Sequence, residues 1–133
     1  MPEPEKFIEV CAAVIRHGSR VLLARRPPGS HLAGLWEFPG GKVHDDESLP
    51  DCIRREIREE LDRDIAVNDH VATVEHQYPE KNIRLHFFDC TLVEGEEDCP
   101  GAEWEYGWFE PDEIPRLDLA PADRRFCMSL SFS

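Results

Sequence analysis

Residues 40–61 constrain the fold more than any other stretch, because a glycine turn there leads into a strongly patterned helix. Apolar residues recur at every fourth position and form one stripe on that helix: Leu49, Ile53, Ile57 and Leu61. Asp46 or Ser48 can cap its start, and Pro50 suits the first turn. The pattern predicts a helix over 48–61 that buries one side.

Three carboxylates lie along one edge of this stripe. Glu56 faces Glu59 at i+3 and Glu60 at i+4, so like charges repel where a solvated helix usually alternates acids and bases. A divalent cation would supply the counter-charge, and carboxylate oxygens suit Mg²⁺, Mn²⁺ or Ca²⁺. The alternative is an acidic surface helix neutralised by Arg55 and Arg58.

The spacing around these acids resembles the Nudix box, the signature of Nudix hydrolases. Gly41 is followed after five residues by Glu47, and after seven more by the run REIREE at 55–60. The preceding string WEFPGGK, at 36–42, is similar to the MutT-like branch of that family. The resemblance covers most of the chain and implies an α/β protein with the Nudix fold, an α/β/α sandwich with a mixed central sheet.

The box departs from the family pattern at its end, where Asp62 and Arg63 stand in place of Gly and an apolar residue. That glycine normally ends the helix in the left-handed conformation, which Asp adopts at a cost of roughly 1 kcal/mol. We expect the departure to affect the stability of the helix end or the loop path, and to leave the carboxylates in place.

Length and charge limit the possible partners. With 133 residues, the chain is predicted to form one domain, a single Nudix hydrolase domain over 1–133. Its formal net charge of -13 repels nucleic-acid polymers, whereas a nucleotide with its magnesium remains a reasonable partner. No apolar run is long enough for a membrane span, and the N-terminus does not resemble a secretory signal.

The five cysteines are odd in number and widely spaced, and none form a CxxC pair. This pattern suggests neither a zinc site nor a disulfide framework. A reduced, cytoplasmic setting is therefore the default expectation.

The remaining elements are predicted from apolar runs and turn residues. We expect strands over 8–15, 21–24, 35–38, 70–76, 83–92 and 103–109, and a final helix over 121–130. The turn at 79–82 makes the fourth and fifth of these strands a hairpin, which matches the central hairpin of the family.

The resemblance also implies the chemistry: hydrolysis of a nucleoside triphosphate to the monophosphate and pyrophosphate, with water attacking the β-phosphorus. The metal ligands would be the Gly40 carbonyl and the side chains of Glu56, Glu59, Glu60 and Glu103. Mg²⁺ is the expected ion, with Mn²⁺ as a possible substitute. The general base stays open between Glu56 and Glu103, and Glu105 is the fallback for Glu103. Arg55 would orient a glutamate, and Glu47 would support the helix or a metal-bound water.

Five further residues are candidate substrate contacts, each with a simpler interpretation, and those of Arg26, His31 and Asp123 come from matching positions in MutT-like proteins. Arg26 and His31 would contact the nucleotide, or be solvated loop residues. Lys42 would contact a phosphate, or be solvated. Phe38 would pack on a base or belong to the core, and Asp123 would read the base or cap the last helix.

The Asp123 position is where MutT places an Asn to read the oxidised purine. An ionised Asp only accepts hydrogen bonds, which suits the N–H donors of guanine and 8-oxoguanine or the amino group of cytosine. The string LAPAD at 119–123 also resembles the MutT-like CTP pyrophosphohydrolases.

Three functions follow. The first is a housecleaning pyrophosphatase, supporting DNA repair by removing oxidised or non-standard (d)NTPs such as 8-oxo-dGTP. The second keeps the fold but acts on CTP and modified dCTP, or on a nucleoside diphosphate linked to a sugar. The third is a nucleotide-binding domain without turnover, although all box glutamates are present. A monomer and a homodimer both remain open.

Overall fold

The computed structural model describes residues 6–30, 32–93 and 105–129, and it places one helix on each face of a single sheet. The strands are β1 (Phe7–His17), β2 (Arg20–Arg25), β3 (Trp36–Glu37), β4 (Gly40–Lys42), β5 (Ile65–Tyr78), β6 (Lys81–Leu92) and β7 (Glu105–Phe109). The helices are α1 (Leu49–Leu61) and α2 (Pro121–Ser129), and a short 3₁₀ turn covers Ile114–Arg116.

The sheet is mixed. Its main strand order is β3-β2-β1-β6-β5, with β4 also paired to β1 and β7 also paired to β2. β1 and β6 run parallel, whereas the other pairs are antiparallel, including the β5–β6 hairpin. A mixed sheet between two helices confirms the predicted α/β/α sandwich.

Alternate residues of β1 point to opposite faces, and this alternation builds two separate cores. Ala12 and Val14 pack on the side of α2, where Phe126 stacks on the ring of Phe87 with 3.9 Å between centroids. The other face packs on α1, whose buried positions are Cys52, Ile53, Ile57 and Leu61. The predicted apolar stripe of the helix is therefore buried against the sheet.

The ends of α1 follow the local sequence. Ser48 is the N-cap, since its hydroxyl accepts a hydrogen bond from the Asp51 N–H at 3.2 Å. Asp62 adopts the left-handed conformation, with φ 53° and ψ 44°, and its N–H donates to the Arg58 carbonyl at 3.0 Å. Asp46, the other candidate cap, precedes the helix in a left-handed turn.

One expectation about the cysteines is wrong. The sequence pattern suggested no disulfide, but the structure joins Cys11 of β1 to Cys52 of α1. The two residues lie 41 positions apart, so no local spacing predicts the bond. Cys90 and Cys127 are buried and unpaired.

Neither helix in the described ranges is long and apolar enough to cross a membrane.

Candidate active site

The glycines of β4 lie where no side chain fits. β4 pairs with β1 so that Gly40 faces Ala12 and Gly41 faces Cys11. A Cβ on Gly40 would overlap the Cys11 carbonyl, and a Cβ on Gly41 would overlap the carboxyl group of Glu56. The glycines therefore let the backbone lie directly between β1 and a helix carboxylate.

Arg55 holds the glycine strand to the start of the helix. Its Nε donates to Oε2 of Glu47 at 2.7 Å, and its Nη2 donates to Oε1 at 3.0 Å, so the pair is bidentate. The same Nη2 donates to the Lys42 carbonyl at 2.9 Å. The hydrogen bonds from Arg55 and from the His44 N–H lower the pKa of Glu47 to about 2.

The guanidinium of Arg55 also contacts two of the helix acids. Its Nη1 donates to Oε1 of Glu56 at 2.9 Å and to Oε1 of Glu59 at 3.3 Å. The Glu56 side chain is 14% exposed and that of Glu59 is 56% exposed, so only Glu56 is held in a restricted environment. Hydrogen bonds to these carboxylates, with that of Glu47 as the largest cause, raise the pKa of Arg55, which stays charged.

Among the described residues, no arginine is hydrogen-bonded to Glu60 in this way, although the charge of Arg26 partly lowers its pKa. Its Oε2 is buried and, within the described residues, has no hydrogen-bond partner. Burial, followed by the negative charges of Glu56 and Glu37, raises the pKa of Glu60 to about 9. A buried carboxyl group costs free energy unless it is paired or neutralised, so this site requires either a proton or a cation.

The donor set fits a divalent cation. Oε2 of Glu60 has no hydrogen-bond partner in the described part of the chain, Glu56 lies beside it, and both are hard oxygen donors of the kind that bind Mg²⁺ or Mn²⁺. Among the described side chains, no three His, Cys, Asp or Glu groups stand ready around one point, because Glu56 and Glu59 engage Arg55 instead. Two helix carboxylates would therefore turn toward the ion when it binds.

A cavity of about 200 Å³ opens beside this site. Pockets that enclose a drug-sized ligand measure roughly 300–1,000 Å³, so this one is smaller than such pockets and has room for a base. Its wall includes Arg26, Phe38, Gly40, Lys42 and Asp123. The structure thus brings five of the sequence-predicted site residues to one cavity, next to the helix acids.

Asp123 does not cap the last helix as one interpretation expected. The Arg124 N–H donates to the Ala120 carbonyl at 2.9 Å, which makes Ala120 the residue before the helix. The Asp123 carboxylate instead accepts the Phe38 N–H at 3.0 Å, across 85 positions of sequence. Burial, together with the charge of Glu37, raises the pKa of Asp123 well above its usual range.

The Phe38 ring is part of the core. It is 3% exposed and meets the rings of Phe87 and Phe126 edge-on, with centroids 5.6 and 5.3 Å away. Phe38 therefore presents its backbone to Asp123 and only a small part of its surface to the cavity.

Arg26 faces a carboxylate that the sequence reasoning missed. Its Nη1 donates to Oε1 of Glu37 at 3.0 Å, and both side chains are mostly buried. Burial raises the pKa of Glu37 in spite of this partner. Glu37 lines the cavity and acts electrostatically on both Asp123 and Glu60. The position of Glu37 beside the glycine turn is the sequence feature that could have identified it as a site residue.

The β5–β6 turn also contributes to the cavity. Tyr78 and Lys81, at its two ends, line the wall. The hairpin was predicted from the sequence, but its reach to the glycine strand depends on the parallel pairing of β1 with β6. No local pattern marks these two residues.

Two predicted site residues, His31 and Glu103, lie outside the described residues. The fallback residue, Glu105, begins β7, where its backbone pairs with Arg25. Lys42 is exposed at the end of β4, and its carbonyl accepts a hydrogen bond from Nη2 of Arg55 at 2.9 Å.

Comparison with known proteins shows which family the chain resembles along its length. The family model described as NUDIX domain matches residues 10–128. The CTP pyrophosphohydrolase of Escherichia coli (strain K12) is 41% identical over 123 residues, which cover 89% of this chain and 87% of that protein. The 8-oxo-dGTP diphosphatase of Proteus vulgaris is 40% identical over 86 residues, covering 63% of this chain and 76% of that protein.

A solved structure is also similar to this chain in fold and sequence. The crystal structure of MutT protein from Methanosarcina mazei Go1 matches with a TM-score of 0.82 and 30% identity. The match covers 96% of this chain and 95% of that one. The resemblance read from the box therefore extends over almost the entire chain.

Proposed function

Since the chain belongs to the Nudix hydrolase family, we propose that it is a Mg²⁺-dependent nucleoside triphosphate pyrophosphohydrolase. The reaction converts a nucleoside triphosphate to the monophosphate and pyrophosphate. The substrates are oxidised or otherwise non-standard (d)NTPs such as 8-oxo-dGTP. The observation that carries the proposal is the unpaired, buried Oε2 of Glu60 beside Glu56, next to a cavity sized for a base.

Glu56, Glu59, Glu60, the Gly40 carbonyl and Glu103 would hold the cation in this proposal. Such a cation would supply neutralising charge at the phosphate oxygens and a more acidic water. Mn²⁺ is expected to substitute, since it takes the same oxygen ligands.

The protein residues position the reacting groups. Arg55 orients Glu56 through its 2.9 Å hydrogen bond, and Glu47 holds Arg55 by the bidentate pair. The general base that takes the proton of the attacking water is Glu56 or Glu103. Lys42, exposed at the end of β4, is available to contact a phosphate.

Base recognition is proposed to centre on Asp123. One carboxyl oxygen accepts the Phe38 N–H, and the residue lines the cavity. The raised pKa favours a protonated carboxyl group, which can donate one hydrogen bond as well as accept others. A neutral Asp123 would thus offer a purine the same donor and acceptor types as Asn, which favours 8-oxo-dGTP. An ionised Asp123 would accept from the amino group of cytosine.

The second candidate is therefore a CTP or modified dCTP pyrophosphohydrolase. It is favoured by the 41% identity to the CTP pyrophosphohydrolase of Escherichia coli, whose length the match covers to 87%. The third, a Nudix domain that binds nucleotides without turnover, is disfavoured because Glu56, Glu59 and Glu60 are all present.

The deciding experiment measures pyrophosphate release with Mg²⁺ from the four standard dNTPs, CTP, 8-oxo-dGTP, 5-substituted dCTPs and ADP-ribose. The highest kcat/KM for 8-oxo-dGTP supports the first proposal, and the highest value for a cytosine nucleotide supports the second. Glu56→Gln should reduce turnover by orders of magnitude while the protein stays folded. Nucleotide binding with no release from any substrate would leave only the third.

The pH dependence of kcat/KM tests the state of Asp123. If the neutral carboxyl group reads the base, kcat/KM for 8-oxo-dGTP falls as the pH rises through the pKa of Asp123. Asp123→Asn should keep the activity and lose that part of the pH dependence. A variant that loses the activity at every pH would favour an ionised Asp123 instead.

The remaining parts of the proposal concern context. We propose a single catalytic domain over 1–133, acting as a monomer or homodimer on free nucleotides rather than on nucleic-acid polymers or at a membrane. A cytoplasmic location goes with a substrate from the nucleotide pool. The cysteine spacing does not support a cytoplasmic location, because Cys11 and Cys52 form a disulfide.

A further inference from the structure

The disulfide lies at the back of the candidate active site. Cys11 is in the middle of β1 and Cys52 is in the first turn of α1, and both side chains are fully buried. The bond therefore ties the sheet to the helix that carries Glu56 and Glu60. It closes a stretch of chain that contains β2, β3 and β4.

Its sulfur atoms touch the glycine strand directly. Sγ of Cys11 lies 3.5 Å from the Gly41 carbonyl oxygen, and Sγ of Cys52 lies 3.7 Å from the same oxygen. Sγ of Cys52 also lies 3.6 Å from the Lys42 carbonyl oxygen and 3.9 Å from Nη2 of Arg55. Gly41 thus has the disulfide at its carbonyl and the Glu56 carboxyl group against its Cα.

We propose that Cys11 and Cys52 form a redox site that sets how firmly α1 is held against the Gly40–Lys42 strand, and thereby the cation affinity of the helix acids. In the oxidised form, the covalent bond fixes the separation of β1 and the first turn of α1. In the reduced form, two non-bonded sulfur atoms need a wider separation than a bonded pair. Because both side chains are in a close-packed core, the helix turn or the strand must move to provide it.

Such a displacement reaches the acids, because they are on the same helix. Glu56 follows Cys52 by one helical turn, and its carboxyl group already fills the space above Gly41. A functional site tolerates misplacement of only about 0.5 Å. The reduced form is therefore expected to bind a divalent cation more weakly.

The redox step is a thiol–disulfide exchange, with glutathione disulfide as the oxidant. One cysteine thiolate attacks a sulfur of glutathione disulfide, forming a mixed disulfide and releasing one glutathione thiolate. The second cysteine thiolate then attacks the protein sulfur of that mixed disulfide and releases the other glutathione. The two cysteines lose two electrons and two protons in total, and two glutathione thiols are formed. Because both cysteines are buried, the exchange takes place when the first turn of α1 opens locally.

The other described cysteines do not compete in this reaction. Burial raises the pKa of both the Cys90 and the Cys127 thiol to about 12. Neither is paired, and because they lie in different cores, they cannot form a disulfide with each other. These two residues therefore provide matched control sites.

The test equilibrates the protein with an excess of oxidised or of reduced glutathione and maps the cysteines by alkylation and peptide mass spectrometry. The melting temperature and the Mn²⁺ affinity, by titration calorimetry, are then measured in each state. We expect the Cys11–Cys52 bond in the oxidised protein, a melting temperature higher by about 8 °C or more, and roughly tenfold tighter Mn²⁺ binding. Neither readout depends on turnover, so a failure of the pyrophosphatase proposal would not be mistaken for a failure here.

The control variants separate this pair from general thiol effects. Cys11→Ala/Cys52→Ala should resemble the reduced protein under both conditions, whereas Cys90→Ala and Cys127→Ala should keep the difference between the states. The wild-type comparison stands even if the double variant does not fold. The proposal is overturned if both thiols remain alkylatable in excess glutathione disulfide, or if melting temperature and Mn²⁺ affinity are the same in the two states.

Discussion

Single residues at the site carry opposing electrostatic demands. Glu47 is stabilised as a carboxylate by Arg55, which lowers its pKa to about 2. Glu60, on the same helix as Arg55, has no hydrogen-bonded arginine among the residues that the structure describes, and burial raises its pKa to about 9. Carboxyl groups with such different environments can serve different functions. Glu47 positions the arginine, and Glu60 is available to bind a cation.

The first prediction concerns Glu60 in the metal-free protein. Its pKa is raised from 4.5 to about 9, so its folded form is stabilised by the proton, and stability falls as the pH rises between these values. At pH 7 the free energy of unfolding is lower than at acidic pH by roughly 3 kcal/mol for this reason. With a chelator present, Glu60→Gln should melt at least about 5 °C above wild type at pH 8, and the gap should narrow toward pH 5.

Thermal denaturation between pH 5 and 9 measures this effect. Glu59→Gln is the matched control, since the Glu59 side chain is 56% exposed and its charge makes a smaller contribution to the pKa of Glu60 than burial, so the pH profile should change much less. If Glu60→Gln had the same pH profile as wild type, Glu60 would be solvated or paired in solution.

The second prediction concerns Gly41. A Cβ there overlaps the Glu56 carboxyl group, so Gly41→Ala should displace that group and reduce kcat/KM by about 100-fold. Gly18→Ala is the control, because its Cβ meets nothing within 4 Å although its φ is +61°. The control should lose about 1 kcal/mol of stability and keep its activity. Equal activity losses in the two variants would exclude a specific effect at Glu56.

At the scale of the elements, α1 is defined at both ends by its own sequence. Ser48 caps the start, and Asp62 ends the helix in the left-handed conformation that the family usually gives to glycine. The absence of glycine therefore does not prevent a left-handed helix end. Its cost is local strain, offset in part by the exposed ion pair between Asp62 and Arg58 at 3.2 Å.

The third prediction follows from this strain. Asp62→Gly should raise the free energy of unfolding by about 0.5 kcal/mol, since glycine adopts positive φ without penalty. Urea denaturation measures the change. Asp64→Gly is the control, because Asp64 also pairs with Arg58, at 2.8 Å, and is outside the left-handed region. The control should be destabilised; a stabilised control would contradict the assignment of strain to Asp62.

At the scale of the whole molecule, the two cores share one sheet. Alternate residues of β1 belong to the two cores. If either helix detached from the sheet, it would expose strands that also pack against the other helix. The carboxylates come from the α1 face and Asp123 comes from α2, and the glycine strand lies between them. The candidate site therefore requires both cores to be intact.

The fourth prediction is that the described sheet and its two helices unfold in one transition. Ile53→Ala in α1 and Phe126→Ala in α2 should each reduce the free energy of unfolding by about 3 kcal/mol. Each variant should still show a single, lower melting temperature. Circular dichroism and tryptophan fluorescence should give the same midpoint. Val93→Ala, at a position 46% exposed, should have little effect. Separate midpoints for the two probes would show that the faces unfold independently.

The sequence by itself determined the features that depend on local periodicity. The apolar stripe of α1 and the β5–β6 hairpin follow from residues within a turn or a strand of one another. The sequence also limited the N-cap to Asp46 or Ser48, and the family pattern indicated a left-handed helix end at Asp62. The spacing of Gly41, Glu47 and the helix acids belongs to this class, and it was enough to identify the family.

Only the tertiary structure decided the features made by distant residues. The Cys11–Cys52 bond, the 85-residue reach from Asp123 to Phe38 and the Arg26–Glu37 pair beside Glu60 arise because β1, β3 and the helices pack together. Burial, not spacing, raises the pKa of Glu60 and Asp123, and burial is a property of the packed chain. A pattern along the sequence records which groups can ionise, but the surrounding atoms determine whether they do.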